Sequence, residues 1–186
     1  MTDETALEAL RRGAVVGVPT DTVYGLAVDA YRPDGVAELR RLKGRSSSQP
    51  IALLVATLDQ AESVSPLGEP ARRLAAEHWP GPLTIVCRLH PGLPNWLGDA
   101  ARGTIGLRMP NHPVLLELLE LAGPLAATSA NMSGEQPTLN AESAKAVFGD
   151  DVSVYVDAPA GGVESSTVVD VTTDPPTVLR PGPITI

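Results

Sequence analysis

The chain has 186 residues, 43% of them hydrophobic and 19% charged, so it reads as globular rather than disordered and is long enough to bury a core of its own. A net charge of −8 at pH 7 argues against a broad basic surface gripping nucleic-acid backbones, and 3% aromatics leaves few residues for base stacking. A single cysteine argues against a disulfide framework or a multi-cysteine zinc site.

Residues 3–12 are predicted to form a helix, with Leu7 and Leu10 on one side and Gly13 as its stop. Residues 14–18 form a short apolar strand that runs straight into Pro19-Thr20-Asp21-Thr22. A second helix over 33–42, with Val36, Leu39 and Leu42 at helical spacing, delivers Lys43 just past its end. A buried strand follows at 51–55. The next helix, 72–78, stops at Trp79-Pro80-Gly81-Pro82, and a strand covers 83–88. Residues 91–102 are loop-like and, with 137–140, are where lid motion is expected. A strand at 104–108, a helix at 114–121, a strand at 125–127, a helix at 141–148 and strands at 152–156, 168–171 and 177–180 complete the order. Interleaved elements with no internal repeat predict one α/β domain over 1–186, and the closely spaced late strands predict an at least partly antiparallel, mixed sheet. The polar, acidic start lacks a signal core and no apolar stretch reaches spanning length, so a soluble cytoplasmic protein without membrane partners is expected.

Four clusters of small and polar residues punctuate this order: Pro19-Thr20-Asp21-Thr22-Val23-Tyr24-Gly25, Lys43-Gly44-Arg45-Ser46-Ser47-Ser48, Thr128-Ser129-Ala130-Asn131-Met132-Ser133-Gly134 and Glu164-Ser165-Ser166-Thr167. Small polar residues leaving strands into glycine-containing turns offer hydroxyls and bare N–H groups to an anion, so the four read as one assembled pocket. Lys43 and Arg45 are the best phosphate ligands on offer, and both are expected to be solvent-accessible; a solvated charge run after a helix is the competing reading. Neither a Walker A loop nor a Gly-x-Gly-x-x-Gly fingerprint occurs, so a nucleotide would bind by another loop. Arg108 and Arg180 each close an apolar strand before a proline or near one, and suit a bidentate carboxylate or phosphate contact as well as a structural ion pair. His78, His90 and His112 lie at element ends beside proline and give no metal spacing, and Cys87 sits in an apolar run as a buried, inert thiol. No nucleophilic triad emerges, and the chemistry should rest on positioning and charge stabilisation.

Seven segments in order resemble the YrdC-like family of threonylcarbamoyl-AMP synthases. They are Pro19-Thr20-Asp21-Thr22-Val23-Tyr24-Gly25-Leu26, Lys43-Gly44-Arg45, Trp79-Pro80-Gly81-Pro82-Leu83-Thr84, Gly106-Leu107-Arg108-Met109-Pro110, Ser129-Ala130-Asn131-Met132-Ser133-Gly134, Glu164-Ser165-Ser166-Thr167-Val168-Val169-Asp170 and Leu179-Arg180-Pro181-Gly182. Ser46 departs from the family, which often has proline there, and the stop soon after Arg180 resembles the short, single-domain form. The resemblance implies a twisted, mostly mixed or antiparallel sheet flanked by helices around a concave ligand pocket. It implies formation of threonylcarbamoyl-AMP and pyrophosphate from L-threonine, bicarbonate and ATP, with Mg2+ carried mainly by the triphosphate and no metal bound by the protein itself. The product would pass to a tRNA threonylcarbamoyl-transfer complex, and weak tRNA or RNA binding stays open. By motif, Lys43, Arg45, Ser129 and Asn131 would be catalytic. Thr22, Arg108, Ser129 and Ser166 would hold threonine, and Lys43, Arg45, Ser47, Thr104, Asn131, Thr138 and Arg180 would hold ATP. Two other readings stand beside this one: a paralogue making another carbamoyl-adenylate, and a non-catalytic RNA-binding module.

Overall fold

The computed structural model describes residues 3–44, 50–94 and 96–186. Six α-helices and nine strands interleave among these residues: α1 Glu4–Arg11, β1 Val16–Val18, β2 Gly25–Asp29, α2 Pro33–Lys43, β3 Ala52–Leu54, α3 Leu58–Val64, α4 Glu69–His78, β4 Leu83–Arg88, β5 Thr104–Arg108, α5 Pro113–Ala122, β6 Leu125–Ser129, α6 Ala141–Phe148, β7 Val154–Tyr155, β8 Thr167–Asp170 and β9 Thr177–Arg180. The strands form one mixed sheet in the order β7-β1-β2-β6-β3-β5-β4-β8-β9. The pairs β1–β7, β3–β5 and β4–β8 are parallel and the others antiparallel, as the predicted mixture requires.

Most predicted elements fall within a few residues of their observed ends. Two were missed. β2 hides in the apolar run after Tyr24, which reads as the tail of a polar motif. α3 is short, and its signal was the N-cap: the Thr57 hydroxyl accepts from the Gln60 N–H, with threonine and glutamine at capping-box spacing. α4 begins at Glu69 rather than at residue 72, because Gly68 caps it and Pro70 fits the first turn, where no amide hydrogen is required.

The two faces of the sheet are covered unequally. One face is sealed by a large apolar cluster that joins Leu26, Val28, Leu53, Ile85, Ile105, Leu107 and Val169 to Leu39 of α2, Leu74 of α4 and Phe148 of α6. On the other face, α1 and α5 cover the β1–β2–β6 region through Leu7, Leu10, Leu115, Leu118 and Leu119 against Val16, Val18, Ala27 and Leu125. Side chains alternate across a strand, so Thr84 and Val86 of β4, Thr104, Gly106 and Arg108 of β5, and Val168 of β8 share this second face. They line a cavity where the helices give out.

Candidate functional site

The cavity has a volume of about 280 Å³, and Thr22, Thr104, Arg108, Ser129, Ser166 and Arg180 all line it. These six predicted residues come from five separate stretches of chain. They meet because β5 is flanked by β3 and β4, with β6 and β8 next outward. The register orders them along the cavity. Arg108 pairs with Leu54, and Val168 of β8 stands opposite both Thr84 and Arg180, so Arg108, Ser166 and Arg180 gather at one end. Thr104 starts β5 at the other end, about 13 Å away at the rise of an extended strand.

The Arg108 end is densely bonded. Nε of Arg108 donates to the Gly81 carbonyl at 3.1 Å, Nη1 to Thr22 Oγ1 at 2.9 Å and Nη2 to Asp21 Oδ1 at 2.5 Å. Three of the five guanidinium donors are thus bound, the ring of partners fixes the plane of the fork, and the remaining two are left for a ligand. Burial lowers the Arg108 pKa and is the largest influence on it, with Arg180 acting in the same direction; Asp21 opposes both. The other Asp21 oxygen, Oδ2, is buried without a partner among the described residues. Thr22 is held in turn by Thr20, whose hydroxyl donates to the Val23 carbonyl and accepts the Thr22 N–H. Gly161 and Gly162 close on this turn from behind. A Cβ on Gly162 would lie 3.0 Å from the carbonyl oxygens of Asp21 and Thr22, so any larger residue there would push that backbone back by a few tenths of an ångström.

Ser166 is similarly fixed. Its hydroxyl shares a 2.8 Å bond with Thr84 Oγ1, while Arg180 donates Nε and Nη2 to the Ser166 carbonyl and Nη2 to its hydroxyl. Burial of the Arg180 guanidinium lowers its pKa. Thr84 ends the Trp79–Thr84 motif, and the sequence assigns it no role. The signal was its parity with Val86 on the cavity face of β4. Thr128 also lines the cavity, and its Oγ1 is buried with no partner among the described residues.

Lys43 is where expectation and structure part. It is not solvent-accessible but 3% exposed. The αL turn at Gly44, with φ 64°, ends α2 so that Lys43 is its last residue. From there Nζ donates to the Ser129 carbonyl and Oγ and to the Asn131 carbonyl and Oδ1, at 2.7–3.0 Å. Its ammonium therefore clasps the turn after β6. Asn131 faces into that turn as well: its amide donates to the carbonyls of Met132 and Glu135. Thr138 Oγ1 donates to the Ala130 carbonyl. Lys43, Asn131 and Thr138 build the turn that presents Ser129, and none of the three lines the cavity. Arg45 and Ser47 lie outside the described residues, and Pro50, the next described residue, lines the cavity.

Cys87 is buried on the helix-covered face, and burial pushes its thiol up to about 11, as expected for an inert cysteine. Among the described residues, no three His, Cys, Asp or Glu side chains group to hold a metal ion, and no helix is long and apolar enough to cross a membrane.

The chain belongs to the Sua5/YciO/YrdC family: the family's sequence profile, described as telomere recombination, matches residues 8–182. Among relatives, a Mycobacterium tuberculosis H37Rv protein provisionally named threonylcarbamoyl-AMP synthase is 45% identical over 97% of this chain and 83% of its own length. The Bacillus subtilis threonylcarbamoyl-AMP synthase is 39% identical over 97% of this chain and 53% of its own. In structure, the chain resembles Pyrococcus abyssi Sua5 complexed with L-threonine, with TM-score 0.89, 35% identity and coverage of 95% of this chain and 53% of that one. Escherichia coli YciO gives TM-score 0.88 at 28% identity, covering 96% and 87%. The chain thus spans about half of the B. subtilis and P. abyssi proteins and most of the M. tuberculosis and E. coli ones.

Proposed function

We propose that this chain, as one YrdC-like domain, is an L-threonylcarbamoyladenylate synthase that makes threonylcarbamoyl-AMP for the threonylcarbamoyladenosine modification of tRNA. The observation that carries the reading is the meeting of Thr22, Arg108, Ser129, Ser166, Thr104 and Arg180 around one cavity. A P. abyssi relative bound to L-threonine and curated relatives named for this activity support it.

In the proposed reaction the threonine amine attacks bicarbonate, forming the N-carboxylate and releasing water. A carbamate oxygen then attacks the α-phosphorus of ATP, and the bond to the β-phosphate breaks with pyrophosphate as leaving group. The protein contributes positioning and charge. Arg108 grips the threonine carboxylate with its two remaining donors, and Thr22 and Ser166 meet the amine and hydroxyl. Ser129 faces the carbamate and α-phosphate. Lys43 and Asn131 set the turn that holds Ser129 there, and the Lys43 ammonium gives that corner its positive charge. Thr104 and Arg180 take the nucleotide, with Thr138 bracing its side of the turn and Arg45 and Ser47 serving the phosphates. Mg2+ arrives as part of the ATP substrate. The reaction is cytoplasmic, and its labile product passes to a tRNA threonylcarbamoyl-transfer complex.

The test is pyrophosphate release from ATP with each co-substrate supplied or withheld. Release that needs both L-threonine and bicarbonate is expected. Release driven by carbamoyl phosphate instead would move the chain to a different carbamoyl-adenylate chemistry, and no release from folded protein would leave RNA binding as the reading to pursue.

A further inference from the structure

Among the described residues three arginines line the cavity, and they differ in how far their donors are already spent. Arg108 has bound three of its five, and Arg180 has turned Nε and Nη2 to Ser166. Arg102 has made one long contact among the described residues, Nη2 to Asp170 Oδ2 at 3.7 Å, and its side chain is 59% exposed. Asp170 is buried, its side chain 2% exposed, and its carboxylate keeps other donors when Arg102 turns away. Its Oδ1 accepts the Thr172 N–H and hydroxyl at 2.8 and 2.6 Å.

The backbone beneath Arg102 is nonetheless ordered toward the site. Asp99 Oδ1 accepts the N–H groups of Ala101 and Arg102, and the backbones of Asp99 and Thr104 bond to each other in both directions. A capped turn thus feeds directly into β5 and sets Arg102 at the Thr104 end of the cavity. Asp170 has the same strand parity as Val168, so the contact lies on the cavity face of the sheet. Sheet register puts the same end of the cavity toward Ser129 and Pro50, because β6 runs antiparallel to β3 and ends at Ser129. Asp99 also lines this end, but the bonds to Ala101 and Arg102 draw its Oδ1 into the turn.

We infer that Arg102 is a nucleotide-binding residue that swings from Asp170 onto the phosphate chain of the bound nucleoside triphosphate. A guanidinium that is half in solvent and 3.7 Å from its carboxylate partner can turn to a phosphate and gain a charge-assisted fork, while Asp170 keeps the two Thr172 donors. The inference rests on the ATP reading of this cavity. It adds a residue that lies outside the segments carrying the family resemblance.

Calorimetric titration of the unaltered protein, Arg102→Ala and Arg102→Lys with ATP and with adenosine tests it without requiring turnover. Arg102→Ala should weaken ATP binding about tenfold, the usual scale for a lost charge-assisted contact, and leave adenosine binding unchanged. Arg102→Lys should recover part of the loss. Equal weakening for ATP and adenosine would assign Arg102 to the fold or to the base and overturn the inference. So would unchanged ATP affinity, or no ATP binding by the unaltered protein. Pyrophosphate release measured alongside separates the two claims. Turnover intact in Arg102→Ala with unchanged ATP affinity removes Arg102 alone. Selective loss of ATP affinity without threonine-dependent turnover in the unaltered protein keeps Arg102 and removes the synthase reading.

Discussion

The two ends of the cavity are built on opposite plans. At the Arg108 end, Thr20, Asp21, Thr22, Thr84, Ser166 and Arg180 are tied to one another and to backbone, so the donors facing a ligand stand preset before it arrives. At the Thr104 end, a capped turn carries an arginine that is itself exposed and whose contact to a buried aspartate is long. A small zwitterion gains from the first plan, since a fixed fork loses little entropy on binding. A flexible polyanion with its own metal gains from the second, where a cation can follow it.

The contrast can be broken hardest at Arg108. Arg108→Ala should lower kcat/KM for threonine by roughly 100-fold or more, and leaving Asp21 charged and unpaired should destabilise the fold by about 3 kcal/mol. Arg108→Lys, which keeps the charge and loses the fork, should raise the threonine KM far more than the ATP KM. Equal effects on the two substrates would remove the carboxylate clamp.

Lys43→Met is expected to come next, and here the burial of Lys43 reverses the expectation that it is solvent-accessible. Taking the ammonium from four oxygens of one turn should lower stability by about 2 kcal/mol in denaturant titration and reduce kcat together with kcat/KM. An unchanged unfolding midpoint would show that the turn stands without its clasp. Arg180→Gln should raise both Michaelis constants by about threefold to tenfold, because this side chain both fixes Ser166 and faces the cavity. A change confined to one substrate would narrow its role.

Cys87 gives the smallest effect. Burial pushes its pKa up from 9.0 to about 11, so the protonated thiol is favoured in the fold and iodoacetamide at pH 8 should label native protein far more slowly than unfolded protein. The sign for stability follows: whatever this group contributes is complete below pH 9 and declines as pH rises toward 11. Rapid labelling of native protein would contradict the buried thiol.

Sequence carried far into this site because strand ends and turns have local signatures. The 104–108 strand, the placement of Arg108 at its end and the polar turn after β6 could all be read from alternation and punctuation. What could not be read was pairing across long stretches of chain. Lys43 looks like a solvated lysine at a helix end, and only the approach of a turn 86 residues later makes it buried. Asp21 could not be assigned to Arg108 for the same reason, the two being 87 positions apart. Arg102 resembled an ordinary loop arginine until the order β5-β4-β8 set it over Asp170.

The most direct measurement is the mass of the product formed from ATP, L-threonine and carbon-13 bicarbonate, analysed before the adenylate hydrolyses. The account predicts a threonine-dependent adenylate that carries one labelled carbon and forms with one pyrophosphate per molecule. An adenylate without the label, or hydrolysis of ATP that proceeds equally without threonine, would contradict it.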